Sequence, residues 1–86
     1  MPRIIPIDYR TLIRAFELDG FVVSRQKGDH VGMTKPGVPR PVVIKTSPRK
    51  VPVTHICTNL TTAEITRERY FQFLDQVGKE RRRKTS

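Results

Sequence analysis

Three side chains in this 86-residue chain can carry proton or nucleophile chemistry near neutral pH: His30, His55 and Cys57. His30 closes the stretch "RQKGDH", residues 25–30, a cationic, glycine-bearing turn. An imidazole titrates near neutrality and serves as a general base or acid. At the end of such a turn it is either a solvated strand-end residue or the reactive group of an anion-holding site. His55 lies in a stretch of weaker helical propensity and reads as a surface or packing residue. Cys57 reads as a small buried apolar residue, without a partner for a Cys/His nucleophile pair. One cysteine forms no internal disulfide, and no Cys/His cluster has zinc-site spacing, so neither a metal nor a cofactor is expected and reducing conditions fit best.

The charge around His30 narrows the ligand class. Residues 25–50 hold Arg25, Lys27, Lys35, Arg40, Lys45, Arg49 and Lys50 against Asp29 alone, a net of +6 within a total of +9. Residues 1–24 balance, residues 51–78 sum to −1, and the last eight residues, "KERRRKTS", add +4. A basic block inside a patterned region points to a polyanion, with nucleic acid first, although a basic surface also serves solubility alone. No apolar run approaches the roughly 20 residues that cross a bilayer, and "MPRIIPIDY" lacks the features of a secretory signal. The expectation is a cytoplasmic protein with no membrane partner.

The elements that must position these residues follow from periodicity. A chain of this length forms one small domain with a thin two-layer core. In "IDYRTLIRAFELDG", Asp8 is an N-cap and Tyr9, Leu12, Ile13 and Phe16 make one apolar stripe, so a helix ends at Gly20. Strands follow at Phe21-Val22-Val23, "HVGMT" and "PVVIK". A three-residue turn, Lys27-Gly28-Asp29, would pair Gln26 with His30, Ser24 with Gly32 and Val22 with Thr34. That register puts Phe21, Val23, Val31 and Met33 on the core face and His30 on the other, with Arg25 and Lys35 starting on the covered face. Gly32, two residues from His30, leaves room for another molecule's backbone or marks a bulge. A second helix begins near Pro52 and carries Ile56, Leu60 and Ala63. A third is capped by Thr66, carries Tyr70, Phe73, Leu74 and Val77, and ends near Gly78. Tyr70, Phe71 and Phe73 read as core residues rather than base-stacking ones. The expectation is an α+β fold in the order α-β-β-β-α-α, its three-stranded antiparallel sheet covered on one face by helices, with a domain at 1–78 and a basic disordered tail at 79–86.

"LIRAFELDGFVVSRQKGDHVGMTKPG" resembles the HicA (YcfA-like) toxin family, in which a first helix passes through Gly-Phe into a strand and a basic turn ends in Gly-x-His. "RPVVI" is similar to the family's third strand and "VTHICTNLTTAEITRERYFQFL" to its C-terminal helical part. Gly20-Phe21 followed by Gly28-Asp29-His30 is the most specific portion, and the likeness covers roughly residues 8–77. The resemblance implies a double-stranded-RNA-binding-like fold, a metal-independent mRNA interferase, His30 as the catalytic residue, mRNA as substrate and a HicB-like antitoxin as partner. Two departures stand out: Asp29 replaces the serine or threonine of many members, and "KTSPRK" replaces a proline–histidine segment.

Metal-free RNA cleavage uses the ribose 2′-hydroxyl as nucleophile. The protein removes its proton, stabilises the extra phosphate charge and holds the in-line geometry. His30 fits the first task. Lys27, in the turn, is the strongest phosphate-binding candidate, with Gly28, Arg25, Lys35, Arg40 and Lys45 completing the expected RNA-binding set. The alternatives are a non-catalytic RNA-binding module of the same fold and a basic docking domain for an acidic protein.

Overall fold

The computed structural model describes residues 3–84. Strand β1, Ile7–Asp8, leads directly into helix α1, Tyr9–Leu18. The Asp8 carboxylate accepts the Arg10 backbone N–H at 2.8 Å, as its N-cap position requires. The helix closes with Gly20 donating to the Glu17 carbonyl and Phe21 to that of Phe16, a Schellman arrangement with Gly20 left-handed at φ +106°. Burial of Leu12, Ala15 and Phe16 turns the expected stripe to the core.

Strands β2, Val22–Lys27, β3, His30–Thr34, and β4, Val42–Lys45, form an antiparallel sheet in the order β2-β3-β4. On β3 and β4, Val31, Met33, Val42 and Ile44 point inward against Leu12, Phe16, Phe21, Ile56, Leu60 and Tyr70. His30 and Lys45 fall on the opposite, open face, because alternate residues of a strand face opposite ways.

The β2–β3 register differs from the expected one. The turn is Gly28-Asp29, two residues rather than three, and Lys27 pairs with His30, Gln26 with Val31 and Arg25 with Gly32. A bulge at Ser24 then restores the Val22–Thr34 and Val23–Met33 pairs. The extra residue that the hydrophobic pattern demands is therefore present, inside the strand instead of at its tip. Bulges carry such an insertion at sheet edges, and β2 is an edge. Gly28 takes φ +57° at the first turn position, where a two-residue hairpin of the II′ kind uses glycine. Val23 joins the core face in register but stays 45% exposed, since the helices do not reach the edge strand.

Helix α2, Val53–Ala63, follows the short strand β5, Lys50–Val51, which pairs with β1 in a ribbon that the periodicity did not reveal. Two-residue strands carry too little alternation to be read. The ribbon is tied by Arg49, whose Nε donates to Asp8 Oδ2 at 2.7 Å while its carbonyl accepts from Tyr9 N. Hydrogen bonds from the Arg10 side chain and backbone, then from Arg49, hold the Asp8 carboxyl well below the usual carboxylate range.

Helix α2 packs along β4 and buries Ile56, Asn59, Leu60 and Ala63. Cys57 is exposed, correcting its expected burial: one residue on from Ile56 turns about 100° off the buried face. Helix α3, Arg67–Lys84, starts at Thr66, whose Oγ1 accepts the Arg69 N–H, and rests against α1. Its expected end near Gly78 is corrected too. Val77 is buried and Glu80 accepts two hydrogen bonds from the Arg14 guanidinium, at 2.9 and 2.8 Å, so contacts with α1 carry the helix past the glycine. The basic segment from Lys79 thus continues the helix as far as Lys84. The remainder of the expected tail, Thr85 and Ser86, lies outside the described residues.

Two substitutions test this packing. Tyr70 is buried, its hydroxyl has no hydrogen-bond partner, and burial first, then the Cys57 thiolate, pushes the phenol up to about 12 from 10.0. Unfolded chain loses that proton near pH 10 while folded protein keeps it to about pH 12, so the stability linked to it is complete below pH 10 and lost between the two. Tyr70→Phe should be at least as stable as wild type at pH 8 and should flatten the alkaline fall, measured by urea unfolding at pH 8 and pH 11. Glu64 caps α2 at φ +60°, a left-handed conformation that glycine adopts without strain. Glu64→Gly should raise the unfolding free energy by about 0.5 to 1 kcal/mol in the same assay.

Candidate nucleic-acid interface

Cross-strand pairing builds the site. His30 on the central strand lies between Lys27 of β2 and Lys45 of β4, each its direct partner in the ladder. Strands sit about 4.8 Å apart and opposed Cβ atoms about 5 Å, so two lysines flank one imidazole in a single row on the open face. The next row is Arg25–Gly32–Val43. The bulge at Ser24 puts Arg25 here; its expected start on the covered face is corrected. Val43 is 51% exposed and Gly32 has no side chain, so the floor beside the imidazole is low and apolar.

Within the turn, Asp29 Oδ1 lies 2.8 Å from His30 Nδ1. A carboxylate at that distance can accept a proton carried on Nδ1, and in that tautomer Nε2 is the ring's acceptor. The Asp29 carbonyl in turn accepts the Thr46 N–H at 2.8 Å, fastening the hairpin tip to the end of β4. The imidazole is half exposed and reachable from solvent.

Two cavities meet at His30. One, of about 370 Å³, is lined by Arg25, Lys27, His30, Gly32 and Val43. The other, of about 230 Å³, lies between the sheet and α2 and is lined by His30, Val43, Lys45, His55, Thr58 and Asn59. His30 and Val43 belong to both, forming the ridge between them.

Of the expected residues, His30, Lys27, Arg25 and Lys45 come together, with Gly28 shaping the turn. Lys35 and Arg40 do not join them. Lys35 Nζ is held at 3.0 Å by the buried carboxylate of Asp19 and lies over the Phe21 ring. Arg40 precedes β4 at the end away from Lys45, and Val42 to Lys45 alone spans about 10 Å of extended chain. His55, Thr58 and Asn59 were not among the expected site residues. Their spacing of i, i+3, i+4 marks one polar face of a helix, a signal present in the sequence but mute about what the face meets. Among the described residues no three His, Cys, Asp or Glu side chains gather as metal ligands, and no helix is long and apolar enough to cross a membrane.

The family described as HicA toxin of bacterial toxin-antitoxin matches residues 9–53, which is 45 of the 86 residues, running from the start of α1 to the first residue of α2. No curated protein and no solved structure matches the chain.

The row of cations defines a measurement. Binding to a single-stranded polyanion such as poly(U), followed by fluorescence anisotropy across a salt series, should weaken in Lys27→Ala and in Lys45→Ala. Each change should lower the slope of log K against log[salt] by about 0.7, whereas Lys35→Ala should leave the slope unchanged.

Proposed function

The chain belongs to the HicA toxin family of bacterial toxin–antitoxin systems, a toxin with an antitoxin partner, and from that premise we propose that it is an endoribonuclease that cleaves mRNA without a metal. The observation that carries the reading is the row Lys27–His30–Lys45, with Asp29 behind the imidazole. In this reaction His30 Nε2 takes the proton from a ribose 2′-hydroxyl, and the resulting O2′ attacks the adjacent phosphorus. The negative charge that accumulates on the phosphate oxygens falls between the two ammonium groups, where charge stabilisation is worth most. Asp29 keeps Nδ1 protonated, so that Nε2 is the acceptor, and stabilises the imidazolium that forms. Breaking the bond from phosphorus to the 5′-oxygen leaves a 2′,3′-cyclic phosphate and a 5′-hydroxyl end.

Arg25 and the low floor at Gly32 and Val43 support the role of the larger cavity in receiving one nucleoside beside the scissile phosphate. A HicB-like antitoxin is the proposed partner, and acidic groups on it would meet the same lysines.

His30→Ala should lower the rate of RNA cleavage by at least about 10²-fold in buffer containing EDTA, with an unchanged thermal melt, because the exposed ring contributes little to the core. Cyclic-phosphate ends on the wild-type products are the second readout. Wild-type cleavage persisting in the variant would remove the catalytic assignment. Salt-sensitive RNA binding without any product from wild type would identify a binding module instead.

A further inference from the structure

Transesterification at phosphorus moves two protons, and His30 handles only one of them. The 5′-oxygen leaves as a strongly basic alkoxide unless a proton reaches it as the bond breaks. In-line geometry puts the leaving oxygen on the far side of phosphorus from the attacking one, so base and acid must approach from opposite sides. His30 stands on the ridge between two cavities, and the one toward α2 carries a second imidazole, His55, on its wall.

We infer that His55 is the general acid of this site, a role that rests on the nuclease reading above. Helix α2 presents His55, Thr58 and Asn59 on one face across the cavity from His30, Val43 and Lys45. His55 is exposed, so its ring reaches a ligand in the cavity without displacing core residues. Asn59 supplies an independent sign of a ligand. It is 5% exposed, lines the same cavity, and its Nδ2 is buried without a hydrogen-bond partner. Buried amide donors are almost always satisfied, and rotation of the Asn59 amide toward the cavity would offer this one to a phosphate or ribose oxygen. The other titratable groups on the cavity wall are Lys45 from β4 and His30 from β3. Lys45 is then the shared cation, close to the phosphate whichever proton is in transit.

His30 removes the 2′-hydroxyl proton as the bond between O2′ and phosphorus forms. His55, entering as imidazolium, gives its proton to O5′ as the bond between phosphorus and O5′ breaks. His30 ends protonated and His55 neutral, and exchange with water resets both. His55 lies two residues beyond the segment that matches the toxin family, so the assignment rests on this chain's own geometry.

The experiment compares a normal RNA substrate with one carrying a bridging sulfur in place of O5′ at the scissile linkage. A thiolate leaves without protonation, so only the general acid becomes dispensable. His55→Ala, and His55→Gln as a second variant, should lose about 10² to 10⁴ in rate on normal RNA and regain a near wild-type rate on the thio substrate. His30→Ala should stay inactive on both. The wild-type rate should give a bell-shaped pH profile on normal RNA and lose one limb on the thio substrate. Unimpaired His55 variants with an inactive His30→Ala would overturn the acid assignment alone. Equal impairment on the two substrates would overturn it as well, showing a structural role. Wild type that cleaves neither RNA would take the nuclease reading down with it.

Discussion

Antiparallel pairing decides which side chains share a face, and in this molecule a single unpaired residue at Ser24 controls that decision for the whole edge strand. A tight Gly28-Asp29 turn puts Lys27 opposite His30. Without compensation the same register would carry Phe21 and Val23 to the solvent face, since a shift of one residue exchanges every side chain. The bulge absorbs the mismatch. Above it Val23 faces the core side opposite Met33, and below it Arg25 and Lys27 face outward beside the imidazole. The apolar layer and the cationic row therefore come from one strand with two phases. Its position at the sheet edge makes the irregularity tolerable, because only one neighbour's ladder is interrupted.

Stability around that sheet is assembled from local closures joined by a few long-range ties. Asp8 caps α1, pairs with Arg10 and receives Arg49 from the β5 side of the ribbon, so the chain's first turn is fixed to the segment that follows β4. Asp19, almost buried, gathers Lys35 and Arg69, linking the end of α1 to the end of β3 and the start of α3. Arg14 and Glu80 extend the α1–α3 contact. In a domain with so thin a core, such ties choose among helix arrangements that apolar contact alone would leave close in energy. They also engage Lys35, Arg14 and Arg49 in pairs away from His30.

The covering helices leave the open face of the sheet to solvent, except where α2 leans against β4. That asymmetry gives the site its two sides: a broad one bounded by the hairpin and a narrow one bounded by a helix. In the proposed reaction a phosphodiester crosses the ridge at His30, with one nucleoside on each side. The family match ends at the first residue of α2, so most of the helix that forms the narrow side lies beyond it.

Much of this was legible in the sequence, for reasons of range. Helix stripes, the caps at Asp8, Gly20 and Thr66, the basic block and the glycine turn before His30 are short-range patterns, each set by neighbours within about four residues, and they determined the element order and the exposure of the imidazole. The turn length, the ribbon of β1 and β5, the exposure of Cys57 and the run of α3 through Gly78 were decided only in the folded molecule. Three of them depend on a partner far along the chain, Met33 for Val23, Arg49 for Asp8 and Arg14 for Glu80, while Cys57 depends on which face of α2 meets the sheet. The same holds for the site. Lys27 and Lys45 were visible as cations, but their alignment on His30 comes from interstrand register, the loss of Lys35 from Asp19, and the placement of His55 from the packing of α2 on β4. Sequence patterns name the groups available for chemistry, and long-range packing determines which of them meet.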